Sequence, residues 1–209
     1  MIRTLALSAA AAGAVSLAAF SDSYTLDLSG FDGVDVSAGQ TVVFTQGAAY
    51  SVAVEMKRGD LDDMRIEVDD GDLVVRPRRT SWVRRGPRAI VTVTAPGLER
   101  IEASSGSSFE GEGLQSASLS IDSSSGASVS VDGTCGTLEV DISSGSSVSA
   151  RDLQCANVIA DASSGASVSA YATDSVSADA SSGSSVTVYG GAPDVTQDRS
   201  SGASISIKS

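Results

Sequence analysis

The sequence predicts an all-β chain, a single-stranded, right-handed parallel β-solenoid with an irregular β-rich N-terminal half, and three observations carry that reading. The segment Ser-Ser-Gly-Ser/Ala-Ser occurs six times, with its glycines at Gly106, Gly126, Gly145, Gly165, Gly183 and Gly202, 18–20 residues apart. A fixed period of this length marks a stacked array. Apolar and small polar residues alternate on both sides of each motif, as in Leu138-Glu139-Val140 before it and Val148-Ser149-Ala150 after it. That is the pattern of a strand with one buried face. Finally, Cys135 and Cys155 each stand ten residues before the glycine of their own rung, so stacking places them in one column.

Two short strands per period cannot bury their apolar sides alone, so successive periods must share a core. The glycine belongs at a corner that requires positive φ. With strands ~4.8 Å apart, six rungs extend roughly 25–30 Å. The winding is expected to be right-handed, as parallel crossovers almost always are. The same spacing brings the two cysteine Cα atoms within disulfide reach, and in an exported chain a bond closing a loop of about 20 residues contributes ~3 kcal/mol.

Taken in chain order, Met1–Arg3 are positive, Leu5–Ala19 are apolar and alanine-rich, and Ser16-Leu17-Ala18 offers small residues for cleavage. This is a Sec-type signal peptide over residues 1–21, leaving one domain over 22–209. No cysteine follows to carry a lipoprotein anchor, and no later stretch reaches the ~20 apolar residues of a membrane helix. The expected location is therefore exported: periplasmic, outer-surface or secreted. Residues 22–103 read as irregular strands: Val34-Asp35-Val36, Thr41-Val42-Val43-Phe44, Ser51-Val52-Ala53-Val54, Arg65-Ile66-Glu67-Val68, Leu73-Val74-Val75 and Ile90-Val91-Thr92-Val93. Asp70-Gly71 marks a hairpin turn. Phe31, Phe44, Tyr50 and Met56 suit a wider end that starts and caps the stack. Residues 104–209 supply six rungs, and in the last one Gln197 and Arg199 take inward positions, which suits a terminal cap, while Lys208 discourages edge pairing.

The chain resembles the bacterial auto-transporter adhesin family of the head GIN domain type. The resemblance rests on Phe31-Asp32-Gly33-Val34-Asp35-Val36, on Ile66-Glu67-Val68 through Leu73-Val74-Val75, on Thr92-Val93-Thr94-Ala95-Pro96-Gly97-Leu98, and on the repeated Ser-Gly-Ser/Ala steps, in that order. It implies a β-solenoid and an envelope or surface setting. No membrane β-barrel is expected after the repeats, so the chain departs from a complete auto-transporter.

Composition removes several function classes. Histidine is absent, which takes away Ser-His-Asp, Cys-His and most zinc chemistry. Net charge is -12, against nucleic acid as a partner. Aromatics are 4% of the chain, too few for a bulky core or a lined sugar cleft.

Three constellations remain. An acidic residue stands four places before every repeat glycine, Glu102, Asp122, Asp141, Asp161, Asp179 and Asp198, and stacking makes them a column. Like charges 4–5 Å apart repel by about 1 kcal/mol per pair even in water. Either a calcium ladder or hydrogen bonds to neighbouring hydroxyls and turn amides would relieve it, and the calcium-binding repeat Gly-Gly-x-Gly-x-Asp is absent. Apart from that calcium no cofactor is expected. Two and four places after the glycines stand hydroxyls: Ser108, Ser128, Ser147, Ser167, Ser185 and Ser204, then Ser130, Ser149, Ser169, Thr187 and Ser206. They form a flat array that could meet a glycan or another ordered surface, or simply be solvated. The third is a basic segment, Arg76, Arg78, Arg79, Arg84, Arg85 and Arg88, with Trp82 between two prolines. It reads as an exposed loop suited to an anionic glycan, lipopolysaccharide or the acidic column.

No catalytic set emerges. The leading expectation is a non-enzymatic envelope or surface module of the adhesin type, presenting a rigid face to a cell-surface glycan, lipopolysaccharide or envelope protein. A polysaccharide-processing β-helix enzyme and a purely structural, self-associating solenoid are the alternatives. The enzyme would need acids in an aromatic-lined cleft, whereas the repeats carry two tyrosines, Tyr171 and Tyr189.

Overall fold

The computed structural model describes residues 23–78 and 86–208. The signal peptide expected over residues 1–21 falls outside them. The described chain is all-β, with one 3₁₀ turn at Leu61–Asp63 and fifteen strands joined in one sheet that winds around a shared core.

The regular part is built from β9 (Ser108–Ser123), β10 (Ser128–Ile142), β11 (Ser147–Ala162) and β12 (Ser167–Ala180). Each pairs in parallel with the next. The two strands expected per period run together as one. A register shift near the middle, as between Ser130 and Asp132, bends the strand while the ladder to both neighbours continues on either side. Only the last rung is split, into β13 (Ser185–Tyr189) and β14 (Asp194–Arg199), with β15 (Ser204–Ile207) closing the stack. Inward positions hold Val129, Val131, Leu138, Val140 and Ile142 in β10 and their counterparts in β9, β11 and β12, all buried, whereas in β14 Val195, Gln197 and Arg199 stand at the matching register positions and are exposed at the end of the stack.

The corners are two-residue turns. In each, the amide after the glycine donates to the carbonyl three residues back, at 3.0–3.2 Å, as Ser146 does to Ser143. Both central residues lie in the left-handed region: the glycines at φ 70–76°, and the preceding Ser105, Ser125, Ser144, Ser164, Ser182 and Ser201 at φ 50–55°. Positive φ is thus not confined to glycine, because a turn of this mirror-image type demands it at both positions. A serine there costs about 1–2 kcal/mol of backbone strain. Stacking offsets it, since each glycine N–H from Gly106 to Gly183 donates to the left-handed serine's carbonyl in the next rung at 3.0–3.1 Å.

The residue after each glycine points inward, and it alternates: Ser107, Ala127, Ser146, Ala166, Ser184, Ala203. Hydroxyls stacked on every rung would crowd one another, and alternation gives each one room to reach a carbonyl of the preceding rung. Ser107 donates to Val36, Ser146 to Ser123 and Ser184 to Ala162, at 2.8–2.9 Å.

The rung geometry also begins before the repeated motif. β2 (Gly33–Val36) and β3 (Thr41–Gln46) flank a corner at Ser37-Ala38-Gly39-Gln40, with Ala38 at φ 58° and Gly39 at φ 76°. β2 pairs in parallel with β8 (Arg100–Ala103), and β3 with β9, in the register of the later rungs. Gln40 occupies the inward position after the glycine. Fully buried, it donates to the carbonyls of Ala38 and Pro87 and accepts from the amide of Ala89.

On the far side of β2 and β3 lie β6 (Asp72–Pro77) and β7 (Arg88–Ala95), both parallel to them. Antiparallel strands then end the stack: β4 (Ser51–Arg58) on β7, β5 (Met64–Asp69) on β6, and β1 (Ser23–Leu26) on β4. The Asp70-Gly71 hairpin joins β5 to β6, with φ 49° and 87°. The core is bulkiest here, with Phe31, Phe44, Met64 and Leu98 buried and Phe44 stacked on Phe109 at 6.3 Å between centroids.

Candidate functional site

Strand pairing decides which side chains share an outward column. Along the edge just before the corners, Asp35, Glu102, Asp122, Asp141, Asp161, Asp179 and Asp198 stand in continuous register. Six of these are the acids the repeat predicts. Asp35 is the addition, four residues before Gly39, and the motif conceals it because Ser-Ala-Gly-Gln replaces Ser-Ser-Gly-Ser. The acids line one side of a groove whose other side is Ser104, Ser124 and Ser143, continuing at Ser181 and Ser200.

Burial against the groove walls pushes the Asp35, Glu102 and Asp122 carboxyls up. Repulsion from Asp35, Asp122 and Asp72 adds to this at Glu102, and from Asp141 and Glu139 at Asp122, while Arg76 opposes it at Asp35. The only ion pair to the column among the described residues is Arg76 with Asp35, at 3.9 Å. In that set no three acidic or sulfur ligands converge on a point that could hold a metal ion. A ladder spreads carboxylates along a line, whereas calcium needs six or more oxygens around a point.

The hydroxyl columns form as expected. Ser108, Ser128, Ser147, Ser167, Ser185 and Ser204 are in register, and Thr41 extends them toward the N-terminus. Ser130, Ser149, Ser169, Thr187 and Ser206 form the second column, which meets Glu110 and then Val43. Cys135 and Cys155 are paired partners in adjacent rungs and are disulfide-bonded, with Cα atoms 4.4 Å apart.

Of the basic segment, Arg79, Trp82, Arg84 and Arg85 lie outside the described residues. Arg76, Arg78 and Arg88 do not. β6 and β7 pair with β2 and β3, so Arg76 near the end of β6 and Arg88 at the start of β7 stand at the edge where β2 and β3 turn their corner. Arg76 reaches Asp35, and Arg78 donates to the carbonyl of Met64 at 2.8 Å. A second cation at this end is Arg100, which binds Asp32 at 2.6 Å and Asp72 at 3.1 Å.

One outward surface escaped sequence reasoning. On the arm before the acidic column, Thr137, Asn157, Ser175 and Asp194 line a shallow groove with Ile159, which is 46% exposed, and Ser175 donates to the Asn157 side-chain oxygen at 2.7 Å. Ile159 sits at an outward position of Val158-Ile159-Ala160, where alternation calls for a polar residue.

With this geometry in hand, comparison with known proteins is decisive at the level of family. The family model described as "Putative auto-transporter adhesin, head GIN domain" matches residues 30–192. The chain belongs to this family. Its fold is shared with a crystal structure of a putative adhesin from Bacteroides fragilis, at TM-score 0.71 and 15% identity, covering 89% of this chain and 96% of that one. Another from Parabacteroides merdae gives 0.52 and 11%, with 89% and 95% covered. A putative lipid binding protein from Parabacteroides distasonis gives 0.52 and 15%, with 89% and 96% covered. No curated protein matches the sequence. As a head GIN domain, the chain is a β-solenoid whose repeated outer columns are its most regular surface.

Proposed function

We propose that this head GIN domain is a non-enzymatic, exported surface module of the adhesin kind, which holds an extended glycan against the outer face of a rigid solenoid. The observation that carries this reading is the pair of hydroxyl columns. They repeat at one strand spacing, the first over six rungs and the second over five, on side chains too short to collapse onto one another. A polymer with a regular repeat can meet such a face at several places at once, and weak contacts then add through effective concentration. The family and the structural relatives, several of them putative adhesins, support the same setting.

The purified full chain, screened on a glycan array and on bacterial and host cells, is expected to bind at least one class of polysaccharide. Replacing Ser149 and Ser169 with lysine is expected to weaken that binding without changing the melting temperature, because both point outward. Absence of binding to every glycan and cell would overturn the reading. Release of new reducing ends from a bound polysaccharide would replace it with the enzyme alternative.

A further inference from the structure

Six residues after the corner glycines stand Glu112, Asp132, Arg151, Tyr171, Tyr189 and Lys208. Register shifts in the middle of the rungs pair Asp132 with Asp152 and Tyr171 with Gln154, while Tyr171 and Tyr189 remain ladder partners. Among residues 104–208 the only cations are Arg151, Arg199 and Lys208, and the only tyrosines are Tyr171 and Tyr189. Both tyrosines and two of the three cations therefore fall at the same count from the glycine, on four consecutive rungs. Such clustering is not required by the repeat, which elsewhere fills its outward positions with serine and aspartate.

The side chains meet in space. The Arg151 guanidinium carbon lies 4.3 Å from the centre of the Tyr189 ring, and the Lys208 ammonium 5.3 Å from it. The amide of Lys208 donates to the carbonyl of Val188 at 2.7 Å, which fixes the lysine beside that ring. Tyr171 and Tyr189 are adjacent partners of the β12–β13 ladder. Gly190 keeps the platform flat, because a Cβ there would fall 2.9 Å from the Tyr171 ring and 2.2 Å from the carbonyl oxygen of Ala172. Asp152 and Gln154 complete the lining of an open cleft with Arg151, Tyr171, Tyr189 and Gly190. The tyrosines are half-buried, whereas Arg151, Asp152, Gln154 and Lys208 are exposed.

We infer that this cleft is a subsite for an anionic saccharide. The tyrosine rings offer faces on which the C–H side of a sugar can lie, as binding clefts generally use aromatic walls. Asp152 and Gln154 can accept and donate to its hydroxyls. Arg151 and Lys208 supply the charge, the former with a planar fork that matches carboxylate or phosphate oxygens. Arg151 and Lys208 are the two cations held against the Tyr189 ring, while Asp152 lines the cleft with Asp132 as its ladder partner, so the charge that would meet an anion is concentrated at Tyr189. At Tyr171 and Tyr189 the cleft borders the second hydroxyl column, two residues beyond Ser169 and Thr187, so a chain seated here would continue across it. The inference rests on the adhesin reading and adds the charge class and the contact point.

The test uses the full chain and three probes: oligogalacturonate, its methyl ester, and a phosphorylated core oligosaccharide. Binding of either anionic probe is expected to exceed binding of the ester by about tenfold, the ratio that corresponds to ~1.4 kcal/mol, and to weaken with added salt. Arg151→Gln and Tyr189→Ala are each expected to lose most of this preference, and Tyr189→Phe to keep it. Arg151 is exposed, so its variant keeps the test open if Tyr189→Ala fails to fold. Equal binding of ester and acid, or an unchanged preference in Arg151→Gln, would overturn the inference while leaving the adhesin reading in place. Failure to bind any glycan or cell would overturn both.

Discussion

The two ends of the domain are held together in different ways. In the cap, from β1 to β8, large side chains fill the interior: Phe31, Phe44, Met64, Leu73 and Leu98 are all at most 2% exposed, and each occurs in its own setting. Single contacts satisfy the polar groups there, such as Gln40 between Ala38, Pro87 and Ala89, or Arg100 between Asp32 and Asp72. In the rungs from β9 to β13 the interior beyond Phe109 is mostly valine, alanine, leucine and isoleucine, and most residues face one of the same kind in the next rung. Repetition multiplies whatever a column contains, whether it is the turn-to-turn hydrogen bonds of the corners or the repulsion of the acids. Damage to the cap should therefore act through volume, and damage to the rungs through backbone geometry and charge.

The largest effect is expected at the junction. Phe109 is fully buried, stacks on Phe44, and links the cap to the first regular rung. Phe109→Ala should cost about 3–5 kcal/mol, read as a shift in the urea midpoint. A cost no greater than that of Val148→Ala, deep in the rungs, would erase the distinction between the two regions. Next comes the disulfide, which closes a loop between residues 20 apart inside the thin-walled region. Replacing both cysteines with alanine should cost up to ~3 kcal/mol. Mass measurement before and after reduction checks the bond directly.

Corner substitutions should then separate backbone strain from packing. No heavy atom lies within 4 Å of a Cβ placed on Gly145, so Gly145→Ala introduces no clash and reports the left-handed backbone alone. A cost of about 1–2 kcal/mol is expected. Ser144, at φ 55°, should behave oppositely. Asparagine tolerates this region better, so Ser144→Asn should gain about 0.5 kcal/mol, within the range of such turn optimisation. Thermal melts of the pair check the sign, and a stabilising Gly145→Ala would contradict the turn assignment.

Much of this architecture was legible because the rungs repeat. Column membership follows from counting away from a glycine, which placed the acids, the hydroxyls and the cysteines correctly. Counting stopped at the fourth residue after the glycine, however, and beyond it the register shifts, so the meeting of Arg151 with Tyr189 was not legible from spacing. The motif also hid the rung built by β2 and β3, because Gln40 stands where serine or alanine occurs elsewhere. Its role becomes visible only when Pro87 and Ala89 are brought beside it from nearly 50 residues away. The order of the cap strands was illegible for a related reason: β6 and β7 insert between strands that precede them in the chain, through pairings that no local pattern encodes.

The smallest effect concerns the acidic column, and its sign distinguishes a strained ladder from a stabilising one. Burial and mutual repulsion raise the Asp35, Glu102 and Asp122 carboxyls in the folded state. The native chain then binds protons more tightly than the unfolded chain, so stability must rise as pH falls through the raised values toward the ordinary carboxylate range. The melting temperature at pH 5 should exceed that at pH 8. Asp122→Asn, which removes the charge beside Glu102 and Asp141, should raise the value at pH 8 by the equivalent of about 0.2–1 kcal/mol and flatten the pH dependence. The cap offers the internal control, since Asp32 is paired with Arg100 and its neutralisation should not stabilise. A melting temperature that falls between pH 8 and pH 5, or an Asp122→Asn variant less stable than the parent, would mean that the carboxylates are favourably held and that repetition in this column stabilises the stack.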